Sequence, residues 1–324
     1  MTILKTTSEI NLSVIIVNYN TADELRACIQ SVKKQTAGIS YEIIVVDNNS
    51  HDHSKSMLKN EFATVECHFL QFNSGFSYAN NYAMERSESE FILLLNPDTF
   101  LIENSLKVMV DFMRSNPAVG AIGPVVEDPK GNLQLSMSRF PDLKLQLLDA
   151  LYLQDALKRY ALTEDQRGSI ASKIPFEVDW VSGGCIMLRK AIYNEIGGLD
   201  EQFHLFSEDV DWCLRIKEGG WNIYCLANTK VIHIGGASTS KNYFTLVSNR
   251  FRSRFIFAKK HFSKFEFFLL RIITLLGLSL RITGAFFKKF SGTKEKKERV
   301  SAYFHALLLW TGIKKLHPVK RENN

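Results

Sequence analysis

Asp47, Asp98, Glu208, Asp209 and His233 stand where short apolar runs meet polar residues, in VVDNNS, LLLNPD, FSEDVDW and VIHIGG. Carboxylates in such places can accept hydrogen bonds from a base or sugar, hold a hard cation, or take a proton. A histidine adds a nitrogen ligand. Each also has an ordinary structural explanation. Asn96-Pro97-Asp98 is good turn composition, acids near a helix start complement its dipole, and a lone histidine in an apolar run commonly just satisfies the core. Pro97 cannot join a strand ladder, so FILLL should stop there and leave Asp98 just beyond a strand end.

The elements that must position these residues read as alternating strand and helix over residues 12–126. LSVIIVNY, YEIIVVD, CHFLQF and FILLLN read as strands, the apolar ones buried on both faces. Amphipathic helices separate them, and Thr21 and Glu24 have the spacing of a capping box. Alternation of this kind argues for an α/β fold with a mostly parallel sheet and helices on both faces. Asn18 and Asn20, Asp47 and Asn49, Asn73 and Gly75, and Asn96 and Asp98 then follow four successive strands along one carboxyl edge, where such sheets bind ligands. One polar strand end is ordinary; four in sequence outweigh the turn explanation. No GxGxxG follows the first strand, so the dinucleotide fingerprint is absent.

Farther along, residues 140–176 predict one helix through 143–160 and then a charged connection. GGCIMLRK reads as a strand behind a glycine pair, Gly183 and Gly184, that lets a ligand approach the backbone. SEDVDWCLRIKEGG reads as a helix with Ser207 at its N-cap, and Glu208, Asp209 and Asp211 crowd its first turn.

The net charge of +6 conceals an asymmetry. Residues 250–321 carry 18 Lys and Arg against 3 Asp and Glu, a balance of +15. These basic residues are interleaved with apolar ones over 265–287 and 300–316, where Arg271 and Arg281 leave too short an uninterrupted run to span a bilayer. Amphipathic segments lying on an anionic membrane surface fit this pattern, and a helical subdomain packed on the core is the competing account. No secretory h-region opens the chain. The five cysteines are odd in number and make no CxxC pair, which argues for reduced thiols in the cytoplasm.

SVIIVNYN, VVDNNS, NSGFSYANN, LLLNPD, WVSGGCIMLRK, FSEDVDWCLR and VIHIGG occur in this order. Together they resemble a family 2 glycosyltransferase of GT-A fold, most like the bacterial rhamnosyltransferase branch, over about residues 12–262. The resemblance implies inverting transfer of a sugar, L-rhamnose from dTDP-rhamnose by closest likeness, from a nucleoside diphosphate donor (dTDP or UDP) with help from Mn²⁺ or Mg²⁺. Asp47 would then bind the nucleobase, with Asn18, Asn20, Asn49, Asn73, Gly75 and Asn96 lining the donor site. Asp98 would hold the metal–diphosphate, with His233 as a second contact. Asp209 would be the general base, with Glu208 its rival, and Trp180, Gly183, Gly184 and Asp211 would face the acceptor. Asn96 stands where family members often carry a first acid, leaving a single anionic metal ligand. The implied organisation is a catalytic domain over 1–262, with a nucleotide-binding half at 12–126 and an acceptor half at 127–262, and a basic tail over 263–324. A cut after about residue 262 is expected to leave a soluble, donor-binding protein.

The expected acceptor is a cell-surface saccharide, lipid-linked, with the protein peripheral on the inner face of the plasma membrane and no nucleic acid bound. Two alternatives stand beside this reading. A sugar nucleotidyltransferase would show a Gly-rich basic loop after the first strand, which NYNTADEL lacks. A non-catalytic membrane or nucleic-acid adaptor built on the tail leaves the acids of the first 240 residues unexplained.

Overall fold

The computed structural model describes residues 10–235, 243–287 and 293–314. The first half runs β1 (Leu12–Asn18), α1 (Ala22–Gln35), β2 (Tyr41–Asp47), α2 (Ser54–Glu61), β3 (Glu66–Phe69), α3 (Phe76–Arg86) and β4 (Phe91–Leu95). Then come β5 (Thr99–Leu101), α4 (Ser105–Ser115), β6 (Val119–Glu127) and β7 (Met137–Ser138). The middle continues with α5 (Leu143–Ala150), α6 (Gln154–Ala161), α7 (Glu164–Ala171), β8 (Phe176–Glu177), β9 (Trp180–Val181) and β10 (Cys185–Arg189). The remainder is α8 (Lys190–Ile196), α9 (Glu208–Glu218), β11 (Asn222–His233), α10 (Tyr243–His261), α11 (Lys264–Phe287) and α12 (Thr293–Thr311).

The principal sheet has the order β3-β2-β1-β4-β10-β6-β11-β5, with β8 added on β11. The first four of these strands are parallel, as the alternating pattern predicts. Because side chains alternate across a strand, each apolar strand feeds two cores. Val14, Ile16, Val45 and Leu93 join α1, α2 and α4 on one face. Ile15, Val46, Ile92 and Leu94 join α3, α8 and α9 on the other. Continuous apolar strands are what a sheet covered on both sides requires.

Two antiparallel insertions assemble the site. β10 runs antiparallel to β4 with Cys185 opposite Leu95, which sets the Gly183–Gly184 pair beside Asn96. β11 pairs with β5 so that His233 lies opposite Thr99, next to Asp98.

Three local expectations are corrected. The helix expected over 143–160 is two helices, α5 and α6, parted at Tyr152, whose φ of 59° is left-handed and cannot continue a helix. Thr21 occupies the N-cap of α1 but makes no capping bond, and instead its hydroxyl donates to Asn18 Oδ1 at 2.8 Å. The Asp52 carboxylate accepts from the Ala22 amide in its place, at 3.0 Å. Ser207 likewise precedes α9 without a side-chain cap.

The last three helices share a core of their own. Val247, Phe251 and Ala258 of α10 cluster with Leu270 and Leu278 of α11 and with Ala302, Ala306, Leu309 and Trp310 of α12. The Trp310 indole donates to the Phe251 carbonyl at 3.1 Å, so this cluster crosses the line between residues 262 and 263. Helix α11 also lies close on α5, where a Cβ on Gly277 would meet that of Ala150 at 2.9 Å. Among the described residues, no helix is long and apolar enough to cross a membrane.

Candidate active site

At the carboxyl ends of β1 and β2, Asn18 donates through Nδ2 to Asp47 Oδ2 at 2.8 Å, and the Ser50 amide donates to Asp47 Oδ1 at 2.9 Å. Thr21 fixes the Asn18 amide by bonding its Oδ1. Asp47 is thus buried and oriented, and an ionised carboxylate with two bonds keeps further lone pairs for a ligand. Asn20 and Asn49 both hold left-handed backbone, with φ of 56° and 64°, a conformation that asparagine tolerates. Asn49 makes no side-chain hydrogen bond among the described residues. Its neighbour Asn48, which the sequence reading passed over, does the structural work. Asn48 donates to Asn73 Oδ1 at 3.1 Å and to the Gly75 carbonyl at 3.2 Å, and accepts from the Ser74 amide at 2.7 Å. Nothing in VVDNNS distinguishes the two asparagines; only the β2 register does.

Gly75 has φ +85°, and a Cβ there would strike His204 Nδ1 at 2.3 Å and the His204 carbonyl at 2.9 Å. That carbonyl accepts the Phe76 amide at 2.9 Å and docks the start of α3 on the segment before α9. His204 is a second residue the sequence did not single out. Its Nδ1 is buried without a hydrogen-bond partner among the described residues, and burial holds its pKa below the ordinary histidine value.

Beyond β4, the Asn96 amide donates to the Gly184 carbonyl at 2.9 Å, which anchors the turn that presents Asp98. Asp98 is buried, with its Oδ1 3.2 Å from His233 Nε2. The orientation of His233 follows from Gln134. Gln134 Nε2 donates to the His233 carbonyl at 2.7 Å, so its Oε1, 2.9 Å from His233 Nδ1, must accept from an Nδ1–H. In the neutral ring this leaves the Nε2 lone pair facing a carboxylate oxygen. Two acceptors at that distance need a proton or a cation between them, so the same geometry serves an imidazolium–carboxylate ion pair or a pair of metal ligands. No group of three or more metal-binding His, Cys, Asp or Glu side chains occurs among the described residues. The remaining ligands of an ion here would be diphosphate oxygens and water, as is usual for hard cations at phosphate sites.

At the start of α9, Asp209 Oδ2 accepts the Gly183 amide at 2.9 Å and Oδ1 accepts the Val210 amide at 2.9 Å. Desolvation raises the pKa of Asp209 and these two N–H groups pull against it. Glu208 is more deeply buried, its Oε2 has no partner among the described residues, and desolvation with the adjacent Asp209 charge pushes its pKa well up. Phe206 and Ser207, at φ 71° and 64°, form a left-handed pair directly ahead of these acids. Strain of that kind is held only where surrounding structure demands it.

The acceptor-side assignments are partly revised. Gly183 sits against Asp209 and Phe76 and Gly184 against Asn96, where added Cβ atoms would come within 3.3–3.4 Å. Trp180 is half-buried and its indole N–H is held by the Arg139 carbonyl at 2.9 Å, so only its ring is available. Asp211 is corrected outright. Its side chain is wholly buried, ion-paired to Arg215 and Lys260 and hydrogen-bonded to His261. Burial alone would raise its pKa, but His261, Lys260 and Arg215 outweigh that and lower it to about 2. Asp211 lies two residues from Asp209 and so points elsewhere on the helix surface; it ties α9 to α10 and does not meet an acceptor.

The model of glycosyl transferase family 2 matches residues 13–197. The N-acetylglucosaminyl-diphospho-decaprenol L-rhamnosyltransferase of Mycobacterium tuberculosis (strain ATCC 25618 / H37Rv) is 24% identical over 262 residues, covering 77% of this chain and 85% of the relative. Among solved structures, the Pyrobaculum calidifontis mannosyltransferase PcManGT with GDP-Man and Mn²⁺ superposes with a TM-score of 0.57 at 15% identity, covering 95% of this chain and 89% of that one. GalNAc-T7 with UDP, GalNAc and Mn²⁺ also gives 0.57, at 18% identity, over 69% of this chain and 43% of that one. The sheet order and the helices on both faces are those of a GT-A fold.

Proposed function

Since the chain belongs to glycosyl transferase family 2, we propose that it transfers a sugar, with inversion, from a nucleoside diphosphate donor to a saccharide hydroxyl. Membership of this family favours sugar transfer over the nucleotidyltransferase and adaptor alternatives. The observation that carries the proposal is the convergence on one sheet edge of a fixed Asp47, the Asp98–His233 pair and an Asp209 held by Gly183.

Each group has a task that its surroundings suit. Asp47, locked by Asn18 and Ser50, accepts the imide N–H of a thymine or uracil ring. Gly75, Asn73 and Asn48 shape the backbone over which the donor lies. A divalent cation, when bound, neutralises charge on the departing diphosphate, and Asp98 and His233 Nε2 would hold it. Asp209, whose raised pKa makes it a stronger base than an exposed aspartate, takes the proton from the attacking hydroxyl. A single displacement from the opposite face inverts the anomeric carbon without a covalent sugar–enzyme intermediate.

The finer reading is L-rhamnose from dTDP-rhamnose, with UDP as the rival nucleotide, and a lipid-linked acceptor at the cytoplasmic membrane face. Its support is the mycobacterial relative, whose name specifies L-rhamnosyl transfer onto a diphospho-decaprenol-linked sugar. The test is thermal stabilisation by a panel of nucleoside diphosphates with and without Mn²⁺, followed by transfer from the matching nucleotide sugar. A bound ligand raises the melting temperature by mass action. dTDP with Mn²⁺ should give the largest shift; a panel in which none stabilises would sink the proposal.

A further inference from the structure

Away from the sheet edge, a cavity of about 90 Å³ opens between α5, α10, α11 and α12. Arg250, Arg254 and Arg281 line it together with Tyr243 and Tyr303, and Asp149 is the only acid in its lining. Both oxygens of that acid are already engaged, Oδ2 by Arg254 at 3.0 Å and Oδ1 by Arg281 at 3.3 Å. The cavity therefore carries an excess of two positive charges, and Arg250, whose guanidinium lies 5.7 Å from the Phe206 ring, brings donors that Asp149 does not engage. Clustered guanidinium forks are the arrangement that binds phosphate oxygens bidentately.

The helix that contributes Arg281 also carries an apolar stripe on its outside. Phe268, Ile272, Leu276 and Leu280 recur every four residues and are 57%, 43%, 59% and 49% exposed. That spacing places them on one helix face, over about 18 Å. An arginine-rich cavity beside a strip of exposed hydrocarbon is complementary to one chemistry: an anionic phosphoryl head on a long apolar chain.

Helix α10 also packs on the loop that precedes α9. The Ser253 hydroxyl donates to the Leu205 carbonyl at 2.7 Å, and Arg252 donates to the Gln202 carbonyl at 2.9 Å. Both contacts fall in the segment leading into Glu208 and Asp209. Arg250, packed on the Phe206 ring, thus connects the cavity to the segment that carries Glu208 and Asp209.

We infer that the Arg250–Arg254–Arg281 cavity binds the diphosphate of a prenyl diphosphate-linked acceptor, with the prenyl chain lying along the α11 stripe. The inference rests on the lipid-linked acceptor proposed above. It assigns a binding role to residues of α10 and α11, outside the region matched by the family model, and gives the +15 balance a specific task beside general attraction to a membrane.

The test measures binding to the full chain, apart from turnover, by calorimetry. The probes are farnesyl diphosphate, inorganic diphosphate and phosphatidylglycerol vesicles. Arg250→Gln is the first variant, because Arg250 has no ion pair with Asp149. It should weaken farnesyl and inorganic diphosphate about tenfold or more, the scale of a lost charged hydrogen bond, while dTDP–Mn²⁺ binding stays unchanged. Leu276→Ser/Leu280→Ser should weaken farnesyl diphosphate and leave inorganic diphosphate alone. Unchanged affinity in Arg250→Gln overturns the inference. So do vesicles that compete as well as farnesyl diphosphate, which would make the cavity a general anionic-lipid site. A stripe variant that turns a dimer into a monomer without altering prenyl binding overturns it as well. If instead no nucleoside diphosphate binds while farnesyl diphosphate does, the proposed transfer reaction fails and the cavity assignment stands.

Discussion

The Asp209 carboxylate accepts the Gly183 backbone amide at 2.9 Å, tying the first turn of α9 to the loop that leads into β10. An acid that only complemented a helix dipole would need no partner from another element. The bond fixes one oxygen and holds the carboxylate beside the glycine pair, as the proposed role of general base requires.

Asp209→Asn keeps the size of the side chain and an oxygen for the Gly183 amide, but removes the proton acceptor. Transfer should fall by roughly 10²–10⁴-fold, with donor affinity by calorimetry unchanged. A variant with normal turnover and slightly lowered stability would reduce Asp209 to a dipole partner. In the wild type, activity should decline on the acid side as Asp209 is protonated, at a pH above the ordinary aspartate range because burial raises its pKa.

Glu208→Gln separates a buried acid from a working one. Glu208 has a folded pKa raised well above 4.5, chiefly by desolvation, so its folded form favours the proton. The stability that the protonated form provides is present at low pH and is lost as pH rises through the folded value. The glutamine variant never ionises. Its melting temperature relative to wild type should therefore climb as pH rises from 5 to 9. A flat difference across that range would mean that Glu208 is not buried in the way described.

Gln134→Leu removes the acceptor that fixes the His233 Nδ1–H. Partners of this kind behind a metal ligand are worth about 10–100-fold in metal affinity. Mn²⁺ binding in the presence of nucleoside diphosphate, read by electron paramagnetic resonance, should weaken by that factor, and metal-free nucleotide binding should not. Asp98→Ala should abolish the metal-dependent part altogether. Equal Mn²⁺ affinity in the Leu variant would show that His233 is oriented by other contacts.

Trp310→Ala removes a fully buried ring and its bond to the Phe251 carbonyl. The loss should be about 3–5 kcal/mol, measured by urea unfolding. For the same reason a chain cut after residue 262 would uncover Val247, Phe251 and Ala258, and is expected to aggregate, although all the sequence motifs precede the cut and suggested a soluble, donor-binding remainder. A soluble truncated protein with an unchanged melting temperature would show that α10 is stable without its partners.

The first half of the sheet was legible because its evidence is local. Buried strands, amphipathic helices and turn residues are each set by a few contiguous residues, and parallel strands joined by helices put Asn18, Asp47, Asn73 and Asp98 on one edge with no further information. Even the corrections there are small, as when Thr21 turns from capping α1 to fixing Asn18. The tertiary structure decided what depends on pairing between distant strands. The antiparallel insertion of β10 carries Gly183 to Asp209 and Gly184 to Asn96, and the β11–β5 register carries His233 to Asp98. The helix pattern showed three acids in one turn of α9, but not that Asp211 is claimed by Lys260 and His261 from α10, some fifty residues later. Amphipathic spacing gave α11 an apolar face, and packing against α5 and α12 determined which part of it stayed outside. Hydrophobic period and turn chemistry are properties of neighbours in the chain; register, insertion and the sharing of a buried charge are properties of neighbours in space.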